Sequence, residues 1–133
     1  MTPHSILIVD DEANQRLMVE QALRALAFGW TISTAASGQE ALDSLALHQP
    51  DLIITDYHMP IMNGLELIAR VRERQIPSRI ILITAYSSPE LYDAAQKLRV
   101  DHYLTKPVPL SLLRRIATGA LEMTPAPLTG NER

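Results

Sequence analysis

Two short, wholly apolar runs, Ile6-Leu7-Ile8-Val9 and Ile80-Ile81-Leu82-Ile83, predict strands buried on both faces. Leu52-Ile53-Ile54 and Tyr103-Leu104 are shorter versions of the same pattern, whereas Trp30-Thr31-Ile32-Ser33 alternates apolar with polar, as a more exposed edge strand does. Between these runs the period changes to helical. Val19, Ala22, Leu23 and Leu26 fall at i, i+3, i+4, i+7, and so do Gly64, Leu67, Ile68 and Val71. The spacing returns in Leu91, Ala94, Ala95 and Leu98, and again in Leu113, Ile116, Ala117 and Ala120. Ser37 with Glu40 forms a capping-box pattern ahead of Leu42, Leu45 and Ala46, and Ser88-Pro89 places an N-cap before a first-turn proline. Pro50 and Pro77 stop the helices that precede the third and fourth strands.

Strand and helix thus alternate five times. That order predicts an α/β fold, a doubly wound parallel sheet with right-handed crossovers and helices on both faces. From Thr124 on, Pro125, Pro127 and Gly130 break all periodicity, so residues 1–123 read as one domain and 124–133 as a tail or linker stub.

Composition narrows the class. The 133 residues are 47% apolar and 20% charged, which suits one globular core. Twelve basic against fifteen acidic residues give a net charge of −3, so no direct contact with nucleic acid is expected from this chain. Cysteine is absent, which excludes disulfides, zinc–thiolate sites and thiol nucleophiles and suits a reducing, cytoplasmic setting. No apolar run is long enough for a membrane span of ~20 residues or a signal peptide.

The polar residues gather at one rim. Asp10 and Asp11 follow the first predicted strand, Asp56 the third, Thr84 the fourth and Lys106 the fifth. All stand at carboxyl ends of parallel strands, where open α/β sheets place their ligands. Singly, each has a plainer reading: Asp10-Asp11 as a helix cap, Asp56 as a turn before Pro60, Thr84 as a structural strand end and Lys106 as an exposed loop residue. Jointly, three carboxylates in one crevice repel one another unless a cation joins them. An all-oxygen donor set favours Mg²⁺, with Mn²⁺ as the alternative, and a lysine and hydroxyl opposite would complete a cradle for a phosphoryl group.

These segments, Ile6 to Glu12, Thr55-Asp56-Tyr57-His58-Met59-Pro60 with Asn63-Gly64, Thr84-Ala85, and Tyr103 with Lys106-Pro107, resemble the receiver domain of two-component response regulators over about residues 5 to 122. The resemblance implies the flavodoxin-like receiver fold with strand order 2-1-3-4-5. It implies that Asp56 accepts a phosphoryl group from a sensor histidine kinase or phosphotransfer protein. Asp11, Asp56 and the backbone carbonyl of His58 would hold Mg²⁺, and Asp10 would act through water. Thr84 and Lys106 would contact the phosphoryl oxygens, and Tyr103 would be the aromatic switch that remodels a downstream partner surface over residues 88 to 122. A cis peptide is expected between Lys106 and Pro107. His58 and Tyr86 would flank the phosphoryl group and tune its lifetime. His4, His48 and His102 show no metal-ligand spacing and read as structural or exposed.

Two other classes on related folds fit less well. An aspartyl-phosphate hydrolase needs a second carboxylate two residues after its nucleophile, where this chain has His58, and also a cap domain. A flavin carrier needs a glycine- and hydroxyl-rich phosphate loop where this chain has Asp10-Asp11-Glu12. The receiver is expected to catalyse only its own phosphotransfer and autodephosphorylation. It reads either as a stand-alone protein or as the front of a longer DNA-binding or enzymatic regulator.

Overall fold

The computed structural model describes residues 3 to 123; the expected tail lies outside them. Strands β1 (Ser5–Val9), β2 (Thr31–Ala35), β3 (Leu52–Asp56), β4 (Arg79–Thr84) and β5 (His102–Thr105) alternate with helices α1 (Ala13–Arg24), α2 (Gly38–Leu47), α3 (Gly64–Glu73), α4 (Pro89–Lys97) and α5 (Leu110–Met123). All pairings are parallel and the order is β2-β1-β3-β4-β5.

Side chains alternate across the strands, and this divides the core. Leu7, Ile53, Ile80 and Leu82 meet Leu42 and Leu45 of α2, Leu67, Ile68 and Val71 of α3 and Ala95 of α4. Ile6, Ile8, Ile54, Ile81 and Ile83 meet Leu23 of α1 and Leu113, Ala117 and Leu121 of α5. β1 and β3 are buried along their whole length, while edge strand β2 is largely exposed. β2 begins at Thr31 rather than Trp30 and runs on to Ala35, which pairs with Val9. Leu26 and Leu98 lie just past the ends of α1 and α4 but still pack on the core.

The helix starts follow the expected chemistry, with one shift. The Ser88 side chain accepts from the Leu91 N–H, and Pro89 occupies the first turn. The Ser37 hydroxyl accepts from the Glu40 N–H at 3.1 Å, but the Glu40 carboxylate takes the N–H of Ala36, one residue before the cap. A full reciprocal box occurs instead at Asn63 and Glu66, where α3 begins. At the far end of the sheet, Arg72 donates to the carbonyls of Ile76, Ser78, Leu98 and Arg99, tying the loop before β4 to the loop before β5.

Candidate functional site

The parallel register brings the carboxyl ends of β1, β3, β4 and β5 to one edge. Asp10 leaves β1, Asp56 ends β3 and Thr84 ends β4; Lys106 follows β5, its N–H bonded to the Thr84 carbonyl at 2.8 Å. The Lys106–Pro107 peptide is cis. Carboxylate oxygens of Asp10, Asp11 and Asp56 all lie within 4.8 Å of one another. Asp10 and Asp56 are buried, whereas Asp11 is exposed.

Asp56 is held from two sides. Its Oδ2 accepts from the His58 N–H at 3.0 Å. Its Oδ1 lies 2.6 Å from Lys106 Nζ in an ion pair and accepts no aligned hydrogen bond. The Lys106 ammonium donates instead to Gln15 Oε1 at 3.0 Å. Asp10 Oδ1 accepts from the Glu12 N–H at 2.9 Å, and Arg16 donates to the Asp10 carbonyl. Glu12, the N-cap of α1, makes no side-chain cap, so Asp10 also serves the plainer helix-start role. Burial raises the Asp10 carboxyl above its ordinary value; the Asp56 and Asp11 charges push the same way, against the Glu12 N–H and Lys106.

Among the described residues, three carboxylates face the Lys106 ammonium while the Arg16 guanidinium is turned to the Asp10 carbonyl, so the carboxylate oxygens carry excess negative charge in a partly buried crevice. The donor set is all oxygen, which fits a hard divalent cation such as Mg²⁺.

Thr84 is fully buried, and its hydroxyl both accepts from the Tyr86 N–H and donates to the Tyr86 carbonyl, each at 3.2 Å. The His58 ring meets Tyr57 and Tyr86 edge-on, with centroids 4.8 Å and 5.5 Å apart. Tyr103 packs beside the α2–α3–α4 face; its hydroxyl lies 2.7 Å from Ser87 Oγ and its ring meets Tyr92 edge-on. His48 and His4 sit by Ser5 and Asp51 respectively, at the start of β1 and therefore at the opposite end of the sheet from the carboxylates.

A cavity of about 560 Å³ runs from the cluster between α1 and α5. Ile8, Ile54, Ile83 and Leu113 wall it, and its polar lining is Asp10, Gln15, Asp56 and Lys106. Gln15 was not singled out by motif or composition. Its one signal is position: it stands four residues before Val19, on the extension of the apolar stripe of α1.

Comparison with known proteins shows the family. The family model for the response regulator receiver domain matches residues 6–118. "Transcriptional regulatory protein PdtaR" of Mycobacterium tuberculosis is 33% identical over 109 residues, covering 82% of this chain and 52% of that protein. The chain therefore spans about half of that relative's length. The "Uncharacterized 14.6 kDa protein in sodA1 3'region" of Leptolyngbya boryana is 38% identical over 125 residues, 90% of this chain and 92% of that one. Among solved structures, Vibrio cholerae chemotaxis protein CheY4 superposes with a TM-score of 0.81 at 30% identity, over 90% of this chain and 99% of that one.

Proposed function

Because this chain belongs to the response regulator receiver domain family, we propose that it accepts a phosphoryl group on Asp56 in a Mg²⁺-dependent reaction. The carrying observation is the convergence of Asp10, Asp11 and Asp56 with Lys106 at one sheet edge. The donor is a phosphohistidine on a sensor kinase or phosphotransfer protein in the cytoplasm.

An oxygen of Asp56 attacks phosphorus while the bond from phosphorus to the donor imidazole nitrogen breaks, leaving its electron pair on that ring. The product is a mixed anhydride on Asp56. A carboxylate is a weak nucleophile, but phosphoryl transfer passes through a loose transition state that mainly requires positioning and charge neutralisation. Lys106 supplies a fixed positive charge beside Asp56. Thr84 supplies a hydroxyl donor once it leaves Tyr86. Asp11, Asp56 and the His58 carbonyl would hold Mg²⁺, with Asp10 acting through water. When bound, the ion offsets the charge of both the carboxylates and the phosphoryl oxygens.

Tyr103 then carries the signal to α4, β5 and α5, across residues 88 to 122, where a downstream partner or output domain reads it. Such relatives as PdtaR are transcriptional regulators by name. Autodephosphorylation returns the chain to its resting state.

Incubation with acetyl phosphate and Mg²⁺, followed by intact-mass measurement, tests the assignment. One phosphoryl adduct is expected, lost with chelator and lost in Asp56→Asn. An adduct that survives either change overturns it.

A further inference from the structure

We propose that Gln15 is a positioning residue for Lys106, holding its ammonium in place while Asp56 changes charge; this rests on Asp56 being the phosphoryl acceptor. Lysine is a flexible four-carbon stem ending in a point charge, so one ion pair alone restrains it poorly. Among the described residues, two groups restrain Lys106: Asp56 Oδ1 at 2.6 Å and Gln15 Oε1 at 3.0 Å. Only the first belongs to the reacting carboxylate. When Asp56 becomes a mixed anhydride, its negative charge moves outward from the carboxyl oxygens to the phosphoryl oxygens, so the ion pair at Oδ1 no longer fixes where the ammonium stands. The Gln15 carbonyl is unaffected by that change.

The surroundings make this tether consequential. Gln15 and Lys106 sit 91 positions apart in the chain and meet in the lining of a largely apolar cavity. Apart from Asp56 and Gln15, the polar lining of that cavity is Asp10 and Lys106 itself. Asp10 is already engaged with the Glu12 N–H. Lysine has three N–H donors, and the bond to Gln15 uses one of them, leaving two for phosphoryl oxygens. The side chain touches no reacting atom; it acts through Lys106.

The test compares Gln15→Met, which keeps length but loses the oxygen, with Gln15→Glu, which keeps an oxygen at the same reach. The exposed neighbour substitution Asn14→Ala serves as control. Phosphorylation rates are followed by intact mass at varied acetyl phosphate and Mg²⁺. Gln15→Met is expected to lower the maximal rate about tenfold, the order for losing a hydrogen bond to a charged group. Half-saturating Mg²⁺ should stay unchanged, because the carboxylates are intact. Gln15→Glu should recover most of the rate. Independently, NMR relaxation at Lys106 Nζ in the metal-free protein should show a rigid ammonium in wild type and Gln15→Glu, and a mobile one in Gln15→Met. Wild-type rate and rigidity in Gln15→Met overturn the proposal, as does a Gln15→Glu rate as low as that of Gln15→Met. Wild-type protein that takes up no phosphoryl group overturns the reading of Asp56 instead, and Lys106 mobility alone then decides whether Gln15 is its tether.

Discussion

Gly64 stands so close to the Asp56 carbonyl that a β-carbon added to it would lie 2.4 Å from that oxygen and 2.9 Å from the Tyr57 α-carbon. Both neighbours are backbone, and the Gly64 N–H is bonded to the Tyr57 carbonyl at 2.8 Å, so neither side can yield cheaply. The first residue of α3 thus presses directly on the segment that aims Asp56. Gly64→Ala is expected to cost about 1–3 kcal/mol, in the range of overpacked sites. It should also slow acetyl-phosphate labelling of Asp56. Urea unfolding and intact-mass kinetics check both, and a variant of wild-type stability with wild-type labelling would contradict the close contact.

Ile61, three residues earlier, adopts φ 72 although it is β-branched, and the Met62 N–H bonds to the Pro60 carbonyl across it. That is a strained three-residue turn. The side chain is fully exposed, so its removal sacrifices no packing. Ile61→Gly should relieve ~1–3 kcal/mol of strain and lose ~0.5–1 to chain entropy, a net gain in stability. A lower unfolding midpoint in Ile61→Gly would refute this.

Asp10 is destabilised by its own site. Its folded-state value is raised, so its contribution to stability is favourable below its unfolded value and lost as pH rises through the folded one. At neutral pH the ionised carboxylate therefore weakens the metal-free fold. Asp10→Asn keeps the acceptor for the Glu12 N–H and removes the charge. It should raise metal-free stability and reduce the further gain from Mg²⁺. Thermal melts with and without Mg²⁺ read both effects, and an unstabilised variant with an undiminished Mg²⁺ response would count against them.

In the proposed reaction, the lifetime of the Asp56 phosphoryl group is expected to depend on whether His58 and Tyr86 block or assist water. Their rings meet edge-on at 5.5 Å beside the Asp56 loop, which favours obstruction. His58→Asn and Tyr86→Ala should each speed decay of the Asp56 anhydride severalfold. If the imidazole instead acts as a general base, His58→Asn slows decay by about a hundredfold or more. The direction of the change in decay rate in the two variants distinguishes the two.

Ser87 holds the Tyr103 hydroxyl at 2.7 Å. Removing it with Ser87→Ala releases a bond worth about 1 kcal/mol, enough to shift a two-state equilibrium about fivefold. Phosphorylation of wild type should change amide exchange across residues 88 to 122, and Ser87→Ala should reproduce part of that change without phosphate. Changes confined to the Asp56 loop in both cases would argue against Tyr103 as the relay.

The alternation of strand and helix, the edge character of β2, the caps at Ser37 and Ser88 and the rim of Asp10, Asp11, Asp56, Thr84 and Lys106 were all legible in the chain itself. Each depends on local rules: side chains alternate along a strand, recur every three or four residues along a helix, and parallel strands collect their carboxyl ends at one edge. Tertiary structure decided what those rules do not reach. Asp10 and Asp11 are identical neighbours in sequence, yet packing buries one and exposes the other. The Asn63–Glu66 box was open to the same spacing rule that found Ser37, but the approach of Gly64 to the Asp56 carbonyl depends on where α3 meets β3. Gln15 reaches Lys106 only because α1 lies alongside the loop after β5. A contact between residues 91 positions apart is set by how helices seat on the sheet, and that seating follows from the whole core rather than from either residue.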